Sequence, residues 1–403
     1  MSHFKSIAAS LVIVLLSISG AKAQNLDWNI TGAGARAMGF GGAFIGVADD
    51  ATSVVWNPAG LATLERPEVS AVTRIIMESF EADLTDPSTR RTIDKTNELS
   101  HFVFNFASFA YPLDLQNVKL VLAAAYQRQL DFHASRSEFT SKFDSEGGVD
   151  TFTPGLGIRL FPVFAVGAAA NIWFGSATGE LKTQQLYTWD QDFSGFNMVF
   201  GALFDFNGLS NPVPLKLGAS LRTPFELSED KTQGGATLTT KYEMPLMVGF
   251  GASFRVGESL TLAADYEMRM FGDSKIISRN IRGVTEKEPL CPSEEDLNQI
   301  RVGAEYLLIT NLGVFPLRAG FQTVPTVFAN YDNNNPDQDG NFPPKGQVSG
   351  TGFAVGSGYI AERFAVDVSY SMQQYEQDNH PNGLIGTRKI TSNVITMSGI
   401  FYF

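Results

Sequence analysis

Gly32-Ala33-Gly34-Ala35-Arg36-Ala37 fits the G-x-G-x-x-A spacing that cradles a dinucleotide pyrophosphate, and Asp49 and Asp50 follow at a tolerable distance for a ribose contact. That chemistry needs a strand before the first glycine and a βαβ unit around it. Here the motif sits just after a cleavage site with no such strand before it, so the glycines are read as places of close backbone packing. Other catalytic spacings do not occur: the chain has no His-Glu-x-x-His and no Gly-x-Ser-x-Gly. His101, His133 and His380 are scattered, and the single cysteine, Cys291, excludes an internal disulfide or a multi-cysteine zinc site. The expectation is a protein that is not an enzyme and carries no organic cofactor.

One segment has the spacing of a cation site. Asn335-Pro336-Asp337-Gln338-Asp339-Gly340 puts oxygen ligands at positions 1, 3 and 5 and glycine at 6, the first half of a calcium loop. Position 12 is Gly346, so the closing bidentate carboxylate is missing and a solvated polar turn is the plainer reading. Asn335, Asp337 and Asp339 stand as a calcium candidate. A second group of charges, Asp265, Glu267, Arg269, Arg301, Glu305, Arg318 and Asp367, falls on alternating segments late in the chain. On a lipid face an arginine would cost about 2–4 kcal/mol at the midplane, so these must point into a lumen, as a charge-balanced lining or a carboxylate-binding or gating site.

The elements that would position these residues follow from composition and period. Charged residues make up 18% of the 403 residues, against about 25% in ordinary soluble chains. Phe (32) and Gly (38) are abundant while mean hydropathy is −0.02. Apolar outward faces averaged against polar inward faces give that combination in a transmembrane β-barrel. The net charge of −12, with no basic stripe, argues against nucleic acid as a partner.

Residues 1–23 read as a cleaved export signal. Lys5 is followed by the apolar run Leu11-Val12-Ile13-Val14-Leu15-Leu16, and Ala21-Lys22-Ala23 forms a small-x-small cleavage site before Gln24. No later stretch offers an apolar run of helix-spanning length, so membrane residence must use strands. Residues 24–64 alternate weakly and are dense in Gly and Ala. Their large residues, Met38, Phe40, Phe44 and Trp56, suit a compact buried segment and are candidate ligand-lining residues.

From about residue 66 the chain alternates with period two, one apolar and one polar face. Fourteen segments are expected, near 66–80, 98–111, 118–132, 151–161, 164–178, 193–206, 213–226, 238–255, 258–272, 297–309, 314–325, 348–361, 363–376 and 388–403. Most exceed ten residues, long for a soluble sandwich and right for tilted strands crossing a bilayer. Short connections alternate with longer polar ones such as 81–97, 133–150 and 179–192, the short-periplasmic, long-extracellular pattern of outer-membrane barrels. The last strand ends on Phe401 and Phe403, which resembles an outer-membrane assembly signal.

Residues 32–62, GAGARAMGFGGAFIGVADDATSVVWNPAGLA, resemble the N-terminal hatch of the FadL-type long-chain fatty acid outer-membrane transporters. The resemblance rests on the Gly/Ala-rich start, Ala48-Asp49-Asp50-Ala51 and Asn57-Pro58-Ala59-Gly60. It implies an all-β, fourteen-stranded antiparallel barrel (65–403) with a hatch (24–64) inside the lumen. It further implies a monomer in outer-membrane lipid that passively takes up hydrophobic small molecules, long-chain fatty acids or aromatic hydrocarbons, which leave sideways through the wall. Asn57, Pro58 and Ala59 are then hatch or gating residues. The rival reading is a secretion-system accessory barrel that binds exported proteins at the cell surface, which the long loops 273–296 and 326–347 would suit.

Overall fold

The computed structural model describes residues 32–86, 90–115, 118–138, 141–183, 185–279, 284–334, 342–379 and 384–403. The export segment and the calcium candidate Asn335, Asp337 and Asp339 lie outside the described residues.

Among the described residues, nineteen strands form one sheet. In chain order they are β1 (Glu68–Asp86), β2 (Arg91–Leu115), β3 (Val118–Asp131), β4 (Ala134–Glu138), β5 (Ser141–Phe161), β6 (Phe164–Lys182), β7 (Leu186–Asp205), β8 (Leu215–Arg222), β9 (Phe225–Gln233), β10 (Ala236–Met244), β11 (Met247–Val256), β12 (Leu260–Arg269), β13 (Lys275–Arg279), β14 (Thr285–Pro289), β15 (Leu297–Thr310), β16 (Gly313–Tyr331), β17 (Pro344–Ile360), β18 (Phe364–Asp378) and β19 (Ile385–Tyr402). Fourteen of them close an antiparallel ring, because β1 pairs with both β2 and β19 and the register runs from Glu68↔Tyr402 to Thr85↔Ile385. The other five, β4, β9, β10, β13 and β14, extend the wall at the long-hairpin end. Closure leaves the ring no unpaired edge.

Two expected segments are broken. The 213–226 segment divides at Pro224 into β8 and β9, and 238–255 divides at Pro245 into β10 and β11. Proline has no N–H for the ladder, so each break falls where the wall bends into its extension. The connections 81–97, 133–150 and 179–192 also contain far more strand than their polarity suggests. β1 and β2 stay paired out to Asp86↔Arg91, and β6 and β7 out to Lys182↔Leu186. Beyond the lipid the apolar alternation has no purpose, while the backbone still gains by pairing. The hydropathy pattern therefore ends before the hydrogen-bond ladder does.

Alternation sorts the wall as expected. Phe102, Phe104, Phe196, Phe250 and Phe353 are exposed on the outer face, whereas Asp265, Arg269, Arg301, Glu305, Arg318 and Asp367 are buried on the inner one. Inside the ring lie residues 32–64: a one-turn helix α1 (Ala35–Gly39), a second, α2 (Ser53–Trp56), and a 3-10 helix over Pro58–Thr63. Helices this short are not stable alone. Neither α1 nor α2 has a side-chain N-cap, so their conformation is imposed by what surrounds them.

Candidate functional site

The hatch touches the wall backbone to backbone. Gly167, Gly201, Gly218, Gly251, Gly303 and Gly320 all face inward, and a Cβ on any of them would collide with the hatch. On Gly303 or Gly320 it would fall on the backbone of Phe40, and on Gly167 on that of Pro58. Within the hatch, Gly41 and Gly42 hold φ of +68° and +80° and turn the chain after α1, a conformation costly to any residue with a side chain.

Polar anchors pin the same segment. Asp265 on β12 accepts from the amides of Phe44 (2.7 Å) and Ile45 (2.8 Å). Ser253 on β11 donates to the Gly46 carbonyl (2.9 Å), and Arg74 on β1 to that of Gly32 (2.8 Å). Glu68, also on β1, accepts from the Ala51 amide. Asn57, fully buried, does the most. Its Oδ1 caps the 3-10 helix through Ala59 N–H (3.2 Å), and its Nδ2 donates to Ile45 O (3.0 Å) within the hatch and to Ala202 O (3.1 Å) on β7. Pro58 follows at the first helical position, where a missing N–H costs nothing.

Arg36 ties α1 to the wall charges. It pairs with Asp49 at 2.5 Å and Glu305 at 3.2 Å, and Glu305 continues through Arg318 (2.7 Å) to Asp367 (2.6 Å). Burial works against ionisation of Asp49, but Arg36 and then Lys216 outweigh it and hold the carboxyl below its usual range. Six of the seven inward charges read from the sequence are ion-paired, and the seventh, Asp265, holds the hatch together with Glu305.

Of the candidate residues in the hatch, Met38, Phe40, Phe44 and Trp56 share one buried apolar cluster. Phe40 and Phe44 meet edge to face at 6.4 Å, and Phe44 meets Trp56 at 6.1 Å. Trp56 donates to the Ala33 carbonyl at 2.9 Å, and the Arg301 guanidinium lies 5.8 Å from its ring. A second buried apolar cluster lies toward the long hairpins and includes Trp173, Phe193, Met244, Met247, Phe271 and Phe328. Between the two clusters is a cavity of about 30 Å3 lined by Trp56, Val55, Val199, Arg222, Met247 and Glu267, among others. A second cavity, about 150 Å3, opens toward the short turns and is bordered by Arg36, Asp49, Lys216 and Arg255.

Several solved structures share this architecture. A Pseudomonas aeruginosa FadL homologue superposes with a TM-score of 0.67 at 12% identity, covering 93% of this chain and 99% of that one. The chain has the FadL-type fold. The Pseudomonas putida toluene transporter TodX gives 0.63 at 13% identity (93% and 99% covered), and the Ralstonia pickettii toluene transporter TbuX gives 0.59 at 15% (93% and 100%). No family model and no curated protein matches the sequence. The hatch resemblance read from residues 32–62 thus agrees with the fold of the whole chain, although little of the sequence is shared.

Two sets of residues escaped the sequence reading: the inward glycines and Arg222. The glycines do leave a trace, since Gly249 and Gly251, or Gly155 and Gly157, recur at period two on one face.

Proposed function

We propose that the chain is an outer-membrane channel for passive uptake of hydrophobic small molecules. The observation that carries this is a hatch packed backbone to backbone against the wall, with a buried apolar cluster beyond it. The hatch closes the water route by backbone packing, and an apolar cluster lies above it, so ions and hydrophilic solutes are excluded while an oily solute meets apolar side chains. The toluene transporters and the FadL homologue of the same fold support the reading.

In this reading the apolar belt sits in outer-membrane lipid, the long hairpins face outward and the barrel acts as a monomer. Trp56 is the hatch residue that meets the ligand, with Met38, Phe40 and Phe44 as packing beneath it. Asn57, Pro58 and Ala59 set the hatch conformation. No energy input is needed, because transfer follows the concentration gradient.

The test is deletion of the gene and measurement of uptake of labelled long-chain fatty acids and alkylbenzenes. A fall in uptake of either class, restored by the plasmid-borne gene, supports the proposal. Unchanged uptake of every compound, with loss of surface-protein export instead, would establish the secretion-accessory alternative.

A further inference from the structure

Near the short turns the inner face of β8, β11 and β12 carries a run of donors. Lys216 on β8 stands opposite Ser253 on β11, and Arg255, on the same face of β11, stands opposite Thr261 on β12. Arg36 reaches the same place from α1, and these side chains border the cavity of about 150 Å3. The donors are largely unspent. Lys216 Nζ is 4.0 Å from Asp49 Oδ2, too far for a hydrogen bond. The Arg255 guanidinium has no hydrogen bond or ion pair among the described residues. Arg36 uses three of its five N–H groups, on Asp49 and Glu305.

The carboxylates close by do not balance these cations. Glu305 is shared with Arg318, which also holds Asp367. Asp205, the strand neighbour of Lys216, turns to the short connection and accepts from Asn207 N–H (3.1 Å) and Asn207 Nδ2 (2.8 Å). Asp50 accepts from the Thr52 amide (2.8 Å) and stays 4.0 Å from Arg36. Asp49 is thus the one carboxylate among the described lining residues, against three cations. Its titration reports the same positive field. Burial raises the Asp49 pKa, yet Arg36, Lys216 and Arg255 together hold it below its usual range. The cavity lies on the short-turn side of the hatch, away from the outer apolar cluster, and so is separate from the region assigned to the cargo.

We propose that this cavity binds a small, doubly charged oxyanion of the inorganic phosphate type, taken from the compartment that the short turns face, and that the ion bridges hatch and wall. Arg36 gives its remaining N–H groups from the hatch side, Lys216 and Arg255 give theirs from the wall, and Thr261 adds a hydroxyl. Two negative charges match three cations less one carboxylate. The source is solution and not lipid, because the cavity is inside the closed ring and lipid meets the outer face. Since Arg36 belongs to α1, the bound ion adds one more tie to those of Asp265 and Asn57 and favours the closed hatch. The inference goes beyond the transport reading and does not depend on the cargo.

The test is calorimetry on the whole folded barrel in a nonionic detergent, at mildly alkaline pH and fixed ionic strength. Inorganic phosphate is the titrant and acetate the singly charged comparison. Phosphate is expected to bind saturably, one ion per barrel, and about tenfold or more tighter than acetate. Lys216→Gln and Arg255→Gln should each weaken phosphate about tenfold or more, and Arg255→Lys less than about threefold. Arg36→Gln should weaken it as much, with recovery in Arg36→Lys, because the ion touches the hatch. Unchanged affinity in Arg36→Gln overturns the bridge. Absence of saturable phosphate heat, equal affinity for acetate, or affinity unchanged in Arg255→Gln overturns the site. Arg255 is exposed, so its variants decide alone if another fails to assemble. A barrel that binds phosphate but transports no apolar compound keeps the site and loses the transport reading. A barrel that transports one without binding phosphate loses only the site.

Discussion

Asn57 carries the sharpest prediction, because its three hydrogen bonds separate two roles. Oδ1 caps the 3-10 helix, while Nδ2 ties the hatch to itself at Ile45 and to the wall at Ala202. Asn57→Ala strands the Ala59 amide and the Ile45 carbonyl in a fully buried place. Each such group costs about 1–3 kcal/mol, and Ala202, already in the β7 ladder, is counted at zero. Taking about 3 kcal/mol for the pair raises the population of a loosened hatch about a hundredfold. The wall should survive, since Asn57 lies on no strand and every ladder stays intact. The unheated protein should therefore run compactly on a gel, while the conductance of single channels in a planar bilayer rises from a closed baseline to frequent openings.

Asn57→Asp tells the two roles apart. The carboxylate still accepts from Ala59 but has nothing to donate, and it turns an acceptor toward the Ile45 and Ala202 carbonyls. Leakage at least as large as in Asn57→Ala is expected. A quiet Asn57→Asp beside a leaky Asn57→Ala would mean that the cap alone matters. A quiet pair would refute the claim that this side chain holds the hatch at all.

Other perturbations address the remaining anchors. Gly303→Val or Gly320→Val places a side chain on the Phe40 backbone, so heat-modifiable barrel should form in lower yield or with a displaced, protease-sensitive hatch. Arg36→Gln breaks the ties to Asp49 and Glu305 and leaves both carboxylates short of a partner; baseline conductance should rise without loss of the barrel. Because the Asp49 pKa is held below its ordinary value, the stabilisation it lends exists above the unfolded pKa and disappears only as pH falls through the lowered one. The conductance difference between the unaltered protein and Asp49→Asn should thus be the same at pH 7 and at about pH 5. Calorimetry with calcium on the folded protein decides the loop: heat that disappears in Asp337→Ala and Asp339→Ala would establish a calcium site, and no heat, or heat unchanged by both, leaves the solvated polar turn.

How much of this was legible in the sequence differs between wall and hatch for a physical reason. A wall strand faces two bulk phases, lipid outside and a polar interior inside. Solvation alone then writes period two into the residue types, as in Leu217 and Leu221 against Lys216 and Arg222. Where one phase changes, the trace fades, and so the hairpins beyond the lipid and the breaks at Pro224 and Pro245 were misplaced. The hatch faces no bulk phase. Its helices are too short to carry a period, and its conformation depends on contacts with residues more than a hundred positions away, such as Ile45 with Asp265 and Asn57 with Ala202. Only motif resemblance could reach it.

The inward glycines show what sort of signal that leaves. Solvation does not ask for glycine at positions 201, 218, 251, 303 and 320, since a polar lumen would accept serine or threonine at each. Glycine also weakens a strand, so keeping it on several neighbouring strands needs a steric cause. That cause is a second backbone pressed against the wall at one level of the barrel. The same reasoning gives the charges their meaning. An open water-filled pore could hydrate Asp265 directly, whereas here two hatch amides take the place of water. Glycines that admit a backbone and carboxylates that solvate it are two halves of one device, and Arg222 stands out because nothing described in the hatch supplies its other half.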